Sequence, residues 1–432
     1  MTWSQRYQIR SYLRSSLWIV PIIAVVLDHI LAVFVHRIDE RWKWKALDLG
    51  VSGAQATCNS VITLTLSFIV FTFGSLLVAI QVASGQYTPR IIATTLLRNN
   101  VIRFAVGLFV FTFLFAIKAM NRIEGSVDQI VVFLTAGLGL SSLVGFLFLI
   151  DYAARLLRPV SLVRHVGEAG IEVIRSVYPE SLSGMEAPAA TSLDPGTPMR
   201  TVLHSGTSAI VLAVNTEMLA AEAARCQGVI EFAPQIGDFV GTLEPLFQLY
   251  GGARDINDGY LRSTVVFGSE RTLEQDPLFA IRILADIAIK ALSKAINDPT
   301  TAVLAIDQLD RLLRHAGRRN LRSDFLFDPA GELRVIFRTP NWKDFVDLAF
   351  TEIRFYGAEN IQISRRLRAM IVNLTEVLPE KRQPALQQQL DLLDRVDEKL
   401  FVMPEELALA RIPDSQGLGG STHAKAIVAV RA

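Results

Sequence analysis

The chain has 432 residues, 51% hydrophobic and 20% charged, with a formal net charge of +1. That balance leaves no global basic field of the kind nucleic-acid binders carry, so nucleic acid is not an expected partner. The two cysteines, Cys58 and Cys226, lie in unrelated surroundings, and nothing argues for an oxidising compartment.

In chain order, four apolar runs come first: Leu17–Val35, Val61–Val82, Val101–Met120 and Ile130–Ile150. Each approaches the roughly 20 residues that cross a hydrocarbon core about 30 Å thick. They are apolar all round rather than on one face, which predicts four transmembrane helices. Arg6, Arg10 and Arg14 form a basic leader, but the run behind them is too long for a signal peptide and no small-residue cleavage site follows. One set of flanks carries nine basic residues: Arg6, Arg10, Arg14, Arg90, Arg98, Arg103, Arg155, Arg158 and Arg164. The other carries six: Arg37, Arg41, Lys43, Lys45, Lys118 and Arg122. The bias places both termini in the cytoplasm and Trp42 and Trp44 at the outer interface.

Between the second and third runs, Gln81–Asn100 predicts a short amphipathic segment lying in the interface. Residues 159–199 predict a juxtamembrane helix and a Pro-rich linker. Residues 200–268 then carry strand-like runs at Ala209–Val214, Val229–Ala233, Phe239–Leu243 and Thr264–Phe267, with a helix over Thr216–Gln227. Residues 269–412 predict a mainly helical subdomain. Asp276-Pro277 and Asn297-Asp298-Pro299 each place a cap before a proline and open a helix there. Long helices follow over Asp344–Val377 and Arg382–Phe401, and residues 413–432 read as a flexible tail. The expected fold is therefore an integral membrane four-helix domain (1–158) joined to a cytoplasmic α+β domain, the latter with a small β-barrel-like subdomain and a helical one.

Polar residues inside the apolar runs mark the first candidate site. Asp28-His29 falls about 16 Å into the first run at 1.5 Å per residue, where a charge costs a few kcal/mol. Lys118 is the expected counter-charge. Alternatively the first helix ends near Leu27 and the pair sits at the outer interface. In the second run Ser60, Thr63, Ser67, Gly74 and Gln81 share a face, and Gly137, Ser141 and Gly145 recur in the fourth. Such stripes serve close helix packing, and hydroxyls can also line a water-filled path. A second candidate lies at Arg271, Arg282, Asp286, Asn297, Asp298, Thr300 and Thr301, where helix N-termini and nearby cations could hold a small anion. Capping and i,i+4 ion pairs account for the same residues without a ligand. Walker A, Gly-x-Ser-x-Gly, His-Glu-x-x-His and CxxC signatures are absent, and the six histidines never take metal-ligand spacing. The reading favours a non-enzymatic protein with no cofactor and no metal.

Ser84-Gly85-Gln86-Tyr87-Thr88-Pro89-Arg90 resembles a Ser-Gln-Phe-Ser-Pro-Arg element. The series Arg271-Thr272, Gln275-Asp276-Pro277, Asp286-Ile287-Ala288, Ala291-Leu292-Ser293 and Asn297-Asp298-Pro299-Thr300-Thr301-Ala302 resembles a second block of the same family. By these strings the chain resembles an uncharacterised bacterial family of predicted membrane proteins, domain of unknown function family 2254. The resemblance implies four spans followed by a soluble domain in a bacterial plasma membrane, and implies no activity. Lys294 stands where that family's pattern has proline, and Asp151-Tyr152 where it has paired histidines. Together these features lead to an oligomeric, channel-like or transport-related protein whose partners are the bilayer and further copies of itself. The alternative is a membrane-anchored sensor or scaffold that binds an anion or a protein.

Overall fold

A computed structural model describes residues 2–15, 19–28, 30, 49–86, 100–123, 127–156, 158–182, 195–321 and 324–420. The chain divides into two compact units. One comprises Ser11–Gly85 and Pro89–Leu162; the other comprises Met1–Arg10, Gln86–Thr88 and Val163–Ala432.

The first unit holds α1 (Trp3–Ser15), the apolar α2 (Ile19–Asp28), α3 (Val51–Gln86), α4 (Asn100–Asn121) and α5 (Gln129–Leu156), with α1 beginning in the other unit. Among the described residues three helices are long and apolar enough to cross a membrane: Val51–Gln81, Asn100–Asn121 and Gln129–Arg155. Four spans were expected. The first run supplies only the ten residues of α2 (19 to 28), and most of its remainder, with Trp42 and Trp44, lies outside the described residues. The amphipathic segment expected over Gln81–Asn100 also lies largely outside them.

Packing within this unit follows side-chain size. Phe68 stacks on Phe146 with ring centroids 4.2 Å apart, among Ile102, Val106, Phe109 and Leu149. At the other end Ala54 and Cys58 meet Phe115, Ala119 and Val132. Gly139 lets α5 approach α3 closely: a Cβ there would stand 2.7 Å from Val61. Ser142 donates to Thr112 at 3.0 Å, a buried hydroxyl pair between α5 and α4.

The second unit opens with α6 (Pro159–Val177), which begins just before the boundary between the units. It continues through β1 (Arg200–Leu203), β2 (Ala209–Val214), α7 (Thr216–Arg225), β3 (Gly228–Phe232), β4 (Phe239–Val240) and β5 (Pro245–Gly251). Next come α8 (Asp258–Ser263), β6 (Val265–Gly268), α9 (Pro277–Ala291), α10 (Pro299–Gly317), β7 (Phe325–Phe327) and β8 (Leu333–Phe337). Last are α11 (Trp342–Tyr356), α12 (Ile361–Val377), α13 (Gln383–Leu400) and α14 (Pro404–Ala410).

The expected barrel-like subdomain is not found, because neither sheet closes. One sheet has the order β1-β5-β3-β8-β7 and the other β4-β2-β6. Strand β8 pairs parallel with β3 from more than 100 residues downstream (Ile230 opposite Val335), so the larger sheet grows outward instead of curling shut. Phe232, Phe247, Leu249 and Val335 form its buried core.

The helical part follows its caps. Asp276 accepts from the Phe279 N–H and Asp298 from the Thr301 N–H, each with proline at the first turn, starting α9 and α10 where the sequence predicts. The single helix expected over Asp344–Val377 is two. Asn341 and Asp344 form a capping box for α11, Gly357 ends it, and Asn360 caps α12. Of the expected tail, residues 421–432 lie outside the described residues, whereas 413–420 are held by α12. Arg365, fully buried, donates to the Ile412 and Gly419 carbonyls, and Arg366 to those of Asp414 and Ser415.

Candidate functional site

In the first unit Lys118 Nζ lies 2.5 Å from Asp28 Oδ2. Asp28 is 1% exposed and Lys118 31%, and the second carboxylate oxygen, Oδ1, is buried without a hydrogen-bond partner. Lys118 stands three residues before Asn121, the end of α4, or about 4.5 Å of helix rise. The pair therefore sits near one end of that helix, nearer to an interface than the middle of a span. His29 lies outside the described residues.

On α3 the buried residues Ala54, Cys58, Val61, Thr65, Phe68, Thr72 and Ala79 define the packing face. Ser60, Thr63, Ser67, Gly74 and Gln81 are all exposed. At about 100° per residue, that stripe is centred opposite the packing face. The hydroxyls of Ser60, Thr63 and Ser67 donate to the carbonyls of Ala56, Asn59 and Thr63, leaving acceptor lone pairs outward. The carboxamides of Asn59 and Gln81 on the same outward side have no partner among the described residues. A cavity of about 110 Å³ lies on another side of α3, lined by Phe71, Leu76, Ile102, Phe146 and Leu149. The Thr72 hydroxyl is buried there without a partner.

In the second unit the structure separates the residues of the predicted anion site. Arg271 lies by the start of α9, bonded through Nε to Asp276 Oδ2 at 2.7 Å, with its guanidinium over the Phe279 ring. Gly237, at φ +91°, makes room for it, since a Cβ there would stand 2.2 Å from Arg271 Nη2. Burial pushes the Asp276 carboxyl up, against the opposing pull of Arg271. Arg282, midway along α9, bonds Asp286 and also both oxygens of Glu352, at 2.7 and 2.9 Å. The hydrogen bonds to Glu352 come first among the causes that raise the Arg282 pKa, and the same guanidinium lowers that of Glu352. Asn297, Asp298, Thr300 and Thr301 lie beyond the far end of α9, about 22 Å of helix from its start. There Asp298 Oδ2 takes the Thr301 hydroxyl at 2.5 Å while Oδ1 takes its N–H. Thr300 and Asn297 are exposed, and Asn297 adopts a positive φ of 48° at the turn into α10. Both arginines are thus matched by carboxylates, and of the corner residues Asp298 and Thr301 are engaged in capping. Among the described residues no three His, Cys, Asp or Glu side chains gather as metal ligands.

Comparison with known proteins adds a family and no reaction. An uncharacterized protein of Mycobacterium bovis (Mb1321c) and one of Mycobacterium tuberculosis (Rv1290c) are each 24% identical over 446 aligned positions, covering 98% of this chain and 83% of theirs. No solved structure matches. The family model described as "Predicted membrane protein (DUF2254)" matches residues 14–373, from α1 through most of α12. The chain belongs to that family of predicted membrane proteins.

Proposed function

We propose that this is a multi-pass protein of a bacterial inner membrane with both termini cytoplasmic. Several copies bring their α3 helices together around a shared polar path, and the second unit regulates the assembly as a channel-like or transport-related protein. The observation that carries this reading is a polar stripe on the outward side of α3. Ser60, Thr63, Ser67 and Gln81 face away from its own chain, between exposed apolar residues such as Leu64, Leu66, Val70 and Leu77. Hydrocarbon is a poor neighbour for the carboxamides of Asn59 and Gln81. Another copy of the same face, or water, satisfies them. The Asp28–Lys118 pair supports a fixed polar anchor at one end of the bundle more than a carrier at mid-membrane.

The test combines cross-linking with flux. In protein lacking Cys58 and Cys226, a cysteine at Ser67 should cross-link between copies in liposomes and one at Val61 should not. Ion flux should fall on Ser67→Leu. Copies that fail to cross-link through Ser67, together with flux indifferent to that residue, would sink the proposal.

A second reading makes the protein a membrane-anchored sensor or scaffold with an anionic ligand or partner. What favours it lies away from Arg271 and Arg282, among arginines of the second unit that make no ion pair among the described residues.

A further inference from the structure

The last turn of α6 and the last turn of α10 meet at His315. Arg175 Nε donates to His315 Nε2 at 3.3 Å, and Arg319 Nη2 stands 3.4 Å from the same nitrogen. Two guanidiniums thus converge on one imidazole lone pair, which holds the ring neutral with its proton on Nδ1. The fields of Arg311 and Arg318 also act on it. None of these four arginines makes an ion pair among the described residues. Arg311 reaches the Gln308 amide oxygen, Arg319 the Pro179 carbonyl, and Arg318 has no side-chain bond.

Most acidic groups on the surrounding elements are engaged elsewhere. On α6, Glu168 bonds Arg164 and also lies in the field of Arg311, and Glu172 is exposed without an ion pair among the described residues. On α10, Asp307 bonds Arg366 and Asp310 bonds Arg314. Glu180, from the segment after α6, accepts from the Asn320 amide. From the start of α13, Arg382 donates to the Gly317 and Arg319 carbonyls. Helix C-termini attract basic residues, and that accounts for part of the cluster. The two ends supply only about half a negative charge each, and Arg382 already occupies carbonyls of one. The helix ends and Glu168 therefore offset only part of the four positive charges.

We infer that Arg175, His315 and Arg319, with Arg311 and Arg318 at the rim, form a binding site for a phosphate-type anion, either a soluble phosphate or a lipid headgroup. The site rests on the sensor reading and is independent of the α3 assembly. A tetrahedral phosphate group offers oxygens to both forks at once, replacing the shared imidazole acceptor by charge-assisted bonds. His315 then loses the repulsion that keeps it neutral, takes up a proton and becomes a further donor. Empty, its pKa lies below the ordinary histidine value because of burial first and then the fields of Arg319, Arg175, Arg311 and Arg318. Occupied, it rises, so binding is linked to proton uptake at His315.

The test uses the full chain in phosphatidylcholine nanodiscs with labelled histidine, the His315 resonance being assigned by its loss in His315→Gln. Millimolar inorganic phosphate should raise the His315 pKa by about one pH unit, a tenfold change in proton affinity. Chloride at equal ionic strength should not. Arg175→Gln and Arg319→Gln should each weaken phosphate binding by about tenfold. If nanodiscs containing phosphatidylglycerol raise the pKa without added phosphate, and phosphate then adds nothing, the anion is a lipid headgroup. The inference fails if neither source moves His315, if chloride does as well as phosphate, or if both arginine variants bind phosphate normally. Each result is independent of the Ser67 cross-link, so either proposal can fail alone.

Discussion

Lys118→Met should destabilise the first unit far more than Asp28→Asn, although both break the same ion pair. Asp28 is 1% exposed and Lys118 31%. Removing the ammonium strands a carboxylate whose second oxygen already lacks a partner, and an uncompensated buried charge costs about 3–5 kcal/mol. Removing the carboxylate leaves an ammonium on a flexible stem that is one-third exposed and three residues from its helix end. It can reach polar surroundings, so the loss is about 1–2 kcal/mol. The double variant Asp28→Asn/Lys118→Met has no charge left to strand and should cost about 1–2 kcal/mol in total. The cycle then shows a coupling of at least about 2 kcal/mol, well above the few tenths seen between independent sites. Unfolding in mixed micelles, followed by circular dichroism, measures all four proteins. Equal costs for the two single variants, or additivity in the double, would refute the argument that burial asymmetry controls this pair.

Asp298→Ala removes the acceptor of both the Thr301 N–H and hydroxyl and should cost about 1–2 kcal/mol, measured by denaturant midpoint. Because this residue is occupied in capping, the same variant should leave phosphate binding at His315 unchanged. Arg368→Met strands Asp397, itself 1% exposed and otherwise held by Ser364, and should cost about 3–5 kcal/mol by the same assay. The pH dependence follows from His315. Its folded pKa is depressed, so the unfolded chain binds more protons below 6.5 and stability falls as the pH drops from that value through the folded pKa. His315→Gln should lack this component, and phosphate should diminish it in the unaltered protein, as read from thermal midpoints between pH 7 and 5.

Local signals read well where one residue's chemistry decides the outcome. The Asp-Pro pairs at 276–277 and 298–299 place the starts of α9 and α10, since an oxygen cap and a missing N–H suit only a first turn. The pairing of Asp28 with Lys118 was also legible, because a buried charge leaves few choices of partner. Distant pairing was not. Pro245–Gly251 lacks alternation because β5 is buried on both faces between β1 and β3, so its pattern does not announce a strand. Likewise no local pattern marks Arg365, Arg366 and Arg368 as buried. They are buried because a segment 42 to 54 residues later folds over them and offers its carbonyls. The cluster at Arg311, Arg314, His315, Arg318 and Arg319 has the same ambiguity. Only the fold shows that Asp310 neutralises Arg314, while Arg175 from another helix adds to the rest.

The seat of α6 gives the phosphate site a further, independent test. Gly170 faces Ala280 and Leu312, where a Cβ would meet them at 2.7 and 3.0 Å, and a Cβ on Gly167 would stand 2.4 Å from the Gln308 amide oxygen. These two notches let α6 lie directly against α9 and α10. Arg175, five residues beyond Gly170 on the same helix, owes its position beside Arg319 to that contact. Gly170→Val must push α6 outward or distort it, at a cost of about 1–3 kcal/mol. A shift of even 1 Å at the end of α6 would spoil simultaneous contact of one anion with both guanidiniums. Phosphate affinity should therefore fall by about tenfold with every cationic residue intact, and Gly170→Ala should fall between. A variant that loses stability yet binds phosphate as before would show that the anion needs only the α10 arginines. If affinity falls as expected, occupancy and the seating of α6 are linked, and α6 is the helix that follows α5 in the chain.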